Sequence, residues 1–156
     1  MSELLLYQAD RAQHVAEIIE PELQAGKLVI CDRYIHSTIA YQGYGRGIDF
    51  ALIDQLNMIA TGGLMPELTI LFDIDSSEGL ARLHPGGHDR LEREALEFHL
   101  KVRQGYLELA RKQPDRWRVL DAGKPLSQVQ SELRRLFFEQ LSGKYDLEGF
   151  LEKGVT

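Results

Sequence analysis

Apolar positions along the chain follow two kinds of pattern. Across residues 2–24 they recur at helical spacing, with Leu4, Leu5, Val15, Ile18 and Ile19 on one broad face and Ser2 placed as an N-cap. Ala25-Gly26-Lys27 supplies a glycine stop. Leu28-Val29-Ile30-Cys31 is a short unbroken apolar run, which predicts a strand buried on both faces. A loop rich in glycine and tyrosine is predicted over 41–47, then a helix that Asp49 caps and that runs to about Ala60. Gly62-Gly63 and Pro66 break it. Residues 68–74 read as a second buried strand, 76–83 as a short helix, and 84–88 as a loop built on Pro85, Gly86 and Gly87. Residues 94–112 form a strongly amphipathic pattern with Phe98, Val102, Tyr106 and Leu109 on one face. A third strand is predicted over 117–121 and a last helix over 127–141. There is no internal repeat.

Helices that alternate with apolar strands specify an α/β fold with a parallel sheet. Such sheets bind ligands beyond the C-terminal ends of their strands. Asp32-Arg33, Asp73 and Asp121 stand at those ends and are expected to share one rim. A length of 156 residues suits one domain, predicted over 1–141, with 142–156 as an extension of no assigned role.

Composition narrows the partners. The net charge of −6 opposes a general nucleic-acid or membrane-surface role, since both need a positive footprint. A small phosphate ligand needs only a few local cations and stays open. Cys31 is the one cysteine, so no internal disulfide forms and a reducing compartment is expected. No run approaches the roughly 20 apolar residues of a membrane span, and the first residues do not read as a signal peptide. Cytoplasmic location is the expectation.

Asp32-Arg33 directly after an apolar run offers a planar fork for phosphate oxygens and a carboxylate for Mg²⁺. A structural ion pair at a strand end is the alternative. Cys31 reads as a small hydrophobe, His14 and His36 as surface and loop residues, and His84 and His88 lack the geometry and further ligands of a metal site.

Longer motifs weight the phosphate reading. Asp32-Arg33-Tyr34, Ser37-Thr38, Ala40-Tyr41-Gln42-Gly43 and Gly45-Arg46-Gly47 follow in order. Upstream stands Leu6-Tyr7-Gln8-Ala9-Asp10-Arg11, with an aromatic residue four before an arginine. Downstream come Pro66-Glu67-Leu68-Thr69, Leu71-Phe72-Asp73, Asp89-Arg90-Leu91-Glu92, then Phe98, Val102-Arg103 and Gly105-Tyr106-Leu107. From Glu3 to about Leu141 this series resembles the thymidylate kinases. The resemblance implies phosphoryl transfer from ATP to dTMP, with Mg²⁺, on a P-loop-kinase-like three-layer parallel sheet. It implies that Tyr7 stacks on the pyrimidine and Arg11 donates to a base carbonyl. Ser37, Thr38 and Gln42 would bond the base edge, Tyr41 would lie near the sugar, and Arg33 would hold the monophosphate. Asp32 is the implied metal ligand. Arg82 and Arg90, flanking a lid over about 82–93, would act with Asp121 toward ATP. The lid interior departs from the arginine-rich version of the family, with no arginine between Arg82 and Arg90.

One motif of the family is not in these residues. Phosphoryl transfer of this kind uses G-x-x-x-x-G-K-[ST], whose backbone N–H groups cradle phosphates. Gly26-Lys27, Gly123-Lys124 and Gly143-Lys144 are followed by Leu28, Pro125 and Tyr145, so none matches. The fold is therefore expected to be incomplete, lacking the first strand, the P-loop and the second strand, as in the C-terminal two-thirds of such a kinase. Three readings follow: a kinase portion inactive by itself, a noncatalytic dTMP-binding module, or one half of a two-chain enzyme. A homodimer, or a partner chain that supplies the P-loop, is the expected assembly. A kinase for another base is a weaker alternative, opposed by Ala40-Tyr41-Gln42-Gly43.

Overall fold

The computed structural model describes residues 1–83 and 90–141. The predicted lid interior, with His84, His88 and Asp89, the side chain of Arg90 and the extension 142–156 lie outside the described residues.

Helix α1 (Ser2–His14) begins with Met1 at the cap position, so Ser2 is its first helical residue rather than its N-cap. It passes through a wide turn, Val15–Ile19, into α2 (Glu20–Gln24). Pro21 explains the wide turn. Proline has no N–H and its ring crowds the carbonyl one turn back. Widening the preceding turn relieves this, and the Glu20 N–H bonds the Val15 carbonyl five residues back. Gly26, at φ +74°, ends the helix in the left-handed region.

The segment expected as a loop is helical. Helix α3 (Ile35–Thr38) runs on into a π-helical stretch, Ile39–Gly45. Two of the glycines that suggested a loop instead permit close packing. A Cβ on Gly45 would lie 2.6 Å from the Phe98 ring, and one on Gly43 would lie 2.5 Å from the Phe50 ring. Helix α4 (Phe50–Thr61) is capped as expected, with Asp49 Oδ2 accepting from the Leu52 N–H at 3.2 Å.

Strands β1 (Thr69–Asp73) and β2 (Trp117–Asp121) pair in parallel, in a register from Thr69↔Trp117 to Asp73↔Asp121. That register sets the two aspartates side by side at the C-terminal edge, as predicted. Helices α5 (Ser76–Leu83), α6 (Arg90–Lys112) and α7 (Leu126–Leu141) complete the described elements. The chain is thus α/β with a small parallel sheet.

The predicted strand over 28–31 is not one. It joins no ladder, and Leu28 and Ile30 are 38% and 78% exposed. A strand exists only through a partner, and among the described residues this run has none. Strand β1 is likewise half buried rather than buried on both faces, with Phe72 49% exposed beside an edge that pairs with no described strand. Cys31 is correspondingly half buried, its thiol donating to the Arg33 carbonyl at 3.3 Å.

Helix α6 joins the parts. Its Leu109 and Ala110 pack with Trp117 of β2, and Ile39, Leu71 and Tyr106 pack against that cluster. His36, expected in a loop, lies in α3 and is buried edge-on against Trp117 with ring centroids 4.7 Å apart.

On the other side of α6, Gly105 lies beneath Tyr44. A Cβ there would sit 2.6 Å from Tyr44 Cδ2 and 3.0 Å from Tyr44 Cβ. The ring can swing, but its Cβ cannot move without the backbone. Helix propensity alone favours alanine over glycine by about 1 kcal/mol. Overpacking costs about 1–3 kcal/mol. We expect Gly105→Ala to lower stability by about 1 kcal/mol in denaturant titration, and a gain would show that the packing yields.

Candidate active site

Arg11 projects from the last turn of α1. Its Nη1 donates to Thr38 Oγ1 at 2.9 Å and to Gln8 Oε1 at 3.0 Å, and Nη2 reaches the Tyr34 carbonyl at 3.4 Å. The guanidinium carbon also lies 5.8 Å from the centre of the Tyr34 ring. Burial pulls the Arg11 pKa down, countered by its electrostatic contacts with Tyr34, Cys31 and Asp10. Tyr7, one turn earlier, is 52% exposed. An exposed ring beside a fixed guanidinium is a surface on which a planar heterocycle can stack.

Arg33 is the one non-glycine residue with positive φ among the described residues, at +68°. That conformation costs an L-residue about 1–2 kcal/mol, and such strain gathers at functional sites. It places the guanidinium 5.1 Å from the centre of the Tyr41 ring. Burial lowers the Arg33 pKa, but Tyr41, Tyr106 and Asp32 together outweigh it and the net shift is upward. Asp32 is exposed beside it.

Ser37, Thr38 and Tyr41 occupy successive turns of α3 and the π-helical stretch. Ser37 Oγ accepts from Tyr106 Oη at 2.7 Å, and the Tyr106 ring meets Tyr41 edge-on at 6.4 Å. Burial raises the Tyr106 pKa, so its hydroxyl stays a donor. Arg11, Thr38, Ser37, Tyr106, Tyr41 and Arg33 therefore form one continuous string of contacts. Gln42 has a partner of its own. It is buried, and its Nε2 donates at 2.8 Å to Glu3, which also accepts from Arg46. That bond uses one of the two amide N–H donors, so the other N–H and the carbonyl oxygen remain for a base.

Arg82 and Asp121 are brought together in a second place. Arg82 Nη1 donates to the Ala122 carbonyl at 3.2 Å and Nη2 to Glu78 at 2.7 Å. Asp121 Oδ1 accepts from the Gly123 N–H at 2.9 Å in the same loop. Among the described residues no hydrogen bond or ion pair links Arg82 or Asp121 directly to Arg11 or Arg33.

Two residues of α6 organise the ground between. Arg103 clamps Asp73 through Nε and Nη2 at 2.8 and 3.0 Å, and Nη1 holds Asp75 at 3.0 Å. Tyr106 carries Ser37. Both line a groove of about 190 Å³ with Leu71, Phe72 and Val102, between β1, α5 and α6. The sequence showed Tyr106 in the apolar stripe but gave Arg103 and Tyr106 no role. Nothing local signals a pairing across about thirty residues.

Comparison with known proteins now decides the family. A sequence profile described as thymidylate kinase matches residues 1–133. The thymidylate kinase of Thermosynechococcus vestitus is 54% identical over 130 residues, covering 83% of this chain and 54% of that protein. The chain belongs to the thymidylate kinase family. The thymidylate kinases of Trichodesmium erythraeum and of a Cyanothece species are 52% and 48% identical, each covering 90% of this chain and 62% of the relative. The chain thus spans between 54% and 62% of the length of these thymidylate kinases.

Proposed function

We propose that this chain supplies the thymidylate-holding part of an ATP-dependent dTMP kinase and does not turn over by itself. The observation that supports this most is the string from Arg11 through Thr38 and Tyr106 to Arg33. It sets a base-reading arginine and a phosphate-reading arginine on one support. The thymine ring stacks on Tyr7, and Arg11 donates to a base carbonyl. Thr38 and Ser37 orient the base edge, and Tyr41 meets the sugar. Arg33 presents its planar fork to the monophosphate.

In the reaction, an oxygen of the dTMP phosphate attacks the γ-phosphorus of ATP. The bond from that phosphorus to ADP breaks, giving dTDP. Catalysis here is positioning plus neutralisation of charge. Arg82 and Arg90 serve the transferring group, and Asp121 lies on the ATP side. Among the described residues no three His, Cys, Asp or Glu side chains gather to hold a metal. Magnesium usually keeps several waters and takes one or two carboxylates. The exposed Asp32 fits that use, and a bound Mg²⁺ would offset phosphate charge there.

These 156 residues contain no G-x-x-x-x-G-K-[ST], so the ATP phosphates need a cradle from elsewhere. The edge of β1 that pairs with no described strand, with the exposed Ile30 and Phe72, supports a neighbouring strand that carries it. The packed pair α1 and α4 also exposes Leu6, Met58 and Ile59, which supports a homodimer through these helices. No helix among the described residues is long and apolar enough to cross a membrane, and we place the protein in the cytoplasm.

A coupled assay for ADP release tests the reading. The pure chain with ATP, Mg²⁺ and dTMP is expected to show no turnover, and mixing with a fragment that carries the P-loop is expected to restore it. Turnover by the pure chain would overturn the proposal. A noncatalytic thymidylate-binding module is the second reading, motivated by the same string, and binding with no rescue would select it.

A further inference from the structure

Arg11 is held from behind by a buried amide relay that no part of the proposed reaction uses. Gln8 is 6% exposed on α1, and Asn57 is 5% exposed on α4. Gln8 Nε2 donates to Asn57 Oδ1 at 2.9 Å, while Gln8 Oε1 accepts from Arg11 Nη1 at 3.0 Å. The same Nη1 passes to Thr38 Oγ1 at 2.9 Å. Three helices, α4, α1 and α3, are thus tied by one line of hydrogen bonds that ends on the arginine.

The relay has a direction. An arginine has only donors, so whatever lies behind it must accept. Gln8 meets this with its carbonyl, which turns its N–H₂ toward α4. Asn57 must then present its own carbonyl, and its Nδ2 is left buried with no partner. A buried amide with an unmatched N–H₂ is costly and uncommon. Turning Asn57 over would not satisfy Nδ2, since it would then face the Gln8 N–H₂, donor against donor. The arrangement therefore ranks the orientation of Arg11 above full satisfaction of Asn57.

We propose that Gln8, backed by Asn57, is a positioning residue that fixes the Arg11 guanidinium for base recognition. The consequence for thymidylate rests on the function proposed above, whereas the hold on Arg11 does not. With Gln8 in place, a guanidinium that would otherwise sample several rotamers meets the base in one orientation, and less entropy is lost on binding.

The logic also predicts a rescue. A carboxylate at position 8 accepts from Arg11 as the amide carbonyl does. It also accepts from Asn57 once that side chain turns over, which gives the orphan Nδ2 a partner. Leucine at position 8 has similar bulk and no acceptor.

The test uses the whole chain in three forms: unchanged, Gln8→Leu and Gln8→Glu. The first readout is the ¹⁵N spectrum of the Arg11 guanidinium, with no nucleotide present. Slow rotation about the Nε–Cζ bond is expected in the unchanged chain and in Gln8→Glu, and fast rotation in Gln8→Leu. The second readout is dTMP affinity, expected to fall about 10-fold in Gln8→Leu, as for one lost hydrogen bond to a charged group. It should stay within about 3-fold in Gln8→Glu, less than the loss of one hydrogen bond. The backbone amide spectrum checks that each variant folds. If Gln8→Leu does not fold, slow rotation and near-unchanged affinity in Gln8→Glu still support the hold, and fast rotation there overturns it. Equal guanidinium rotation in Gln8→Leu and the unchanged chain overturns the positioning role whatever dTMP does. If the unchanged chain binds no dTMP, the proposed function fails, and the guanidinium spectra still decide whether Gln8 holds Arg11.

Discussion

Arg33→Gly and Arg33→Ala should both weaken dTMP binding by about 10- to 100-fold, the range for a lost hydrogen-bonded charge contact. The two variants should differ in stability, with the glycine form more stable by about 1 kcal/mol. Both lose the planar fork, so both lose the monophosphate contact. Both also lose the contact with the Tyr41 ring, worth about 0.5–1 kcal/mol at an exposed site. What separates them is the backbone at φ +68°. Alanine keeps the steric conflict of a Cβ in the left-handed region, and glycine has none. Arg33→Lys completes the set, since it keeps the charge and the strain but loses the fork. Calorimetric titration and denaturant unfolding of the three variants read both quantities. Equal stabilities for the glycine and alanine forms would show that the backbone at Arg33 relaxes freely. Unchanged dTMP affinity would remove Arg33 from the site.

Acid should destabilise this fold through His36 before it does so through carboxylates. Burial against Trp117 pulls the His36 pKa down to about 4 from an ordinary 6.5. The folded value lies below the unfolded one, so the neutral ring favours the fold. That contribution is complete above pH 6.5, falls as the pH drops through the window to about 4, and then levels off. Its full size is about 3 kcal/mol. Carboxylates held low by their partners, such as Glu3 beside Gln42 and Arg46, add their own loss only at lower pH. His36 precedes Ser37 and Thr38, so protonation should loosen the base-reading turn as well. We expect the unfolding free energy of the unchanged chain to decline between pH 6.5 and pH 4.5, and that of His36→Phe to stay nearly flat there. Parallel curves for the two proteins would assign the acid sensitivity elsewhere.

Helices with a local signature were legible from the sequence. Asp49 before an apolar periodic run, and Gly62 after it, marked α4 to within a residue. The stripe Phe98, Val102, Tyr106 and Leu109 marked α6, though its first turn was placed four residues late. The strand ends put Asp73 and Asp121 on one rim, and the parallel pairing of β1 with β2 sets them side by side there. Errors came where an apparent local rule has a tertiary cause. Gly43 and Gly45 looked like loop glycines, but they give room to Phe50 and Phe98. Leu28-Val29-Ile30-Cys31 looked like a buried strand, but burial needs a neighbour that the described residues do not supply. His36 looked like a loop residue because its partner Trp117 lies far along the chain.

The candidate site was legible mainly through motif order. Arg11, Arg33, Ser37, Thr38 and Tyr41 were picked out from the sequence, and contacts join them in one string. The supports behind them were not legible. Tyr106 holding Ser37, Arg103 clamping Asp73, and Gln8 backing Arg11 all depend on which helices meet. A single sequence carries no local trace of that.

The most direct test of the account is a calorimetric titration of dTMP onto the pure chain, with dCMP as the comparison. Saturable binding of dTMP is predicted, with dCMP weaker because its exocyclic amine would face the Arg11 donors where thymine presents a carbonyl. Absence of saturable binding at millimolar dTMP, or equal binding of the two nucleotides, would contradict it.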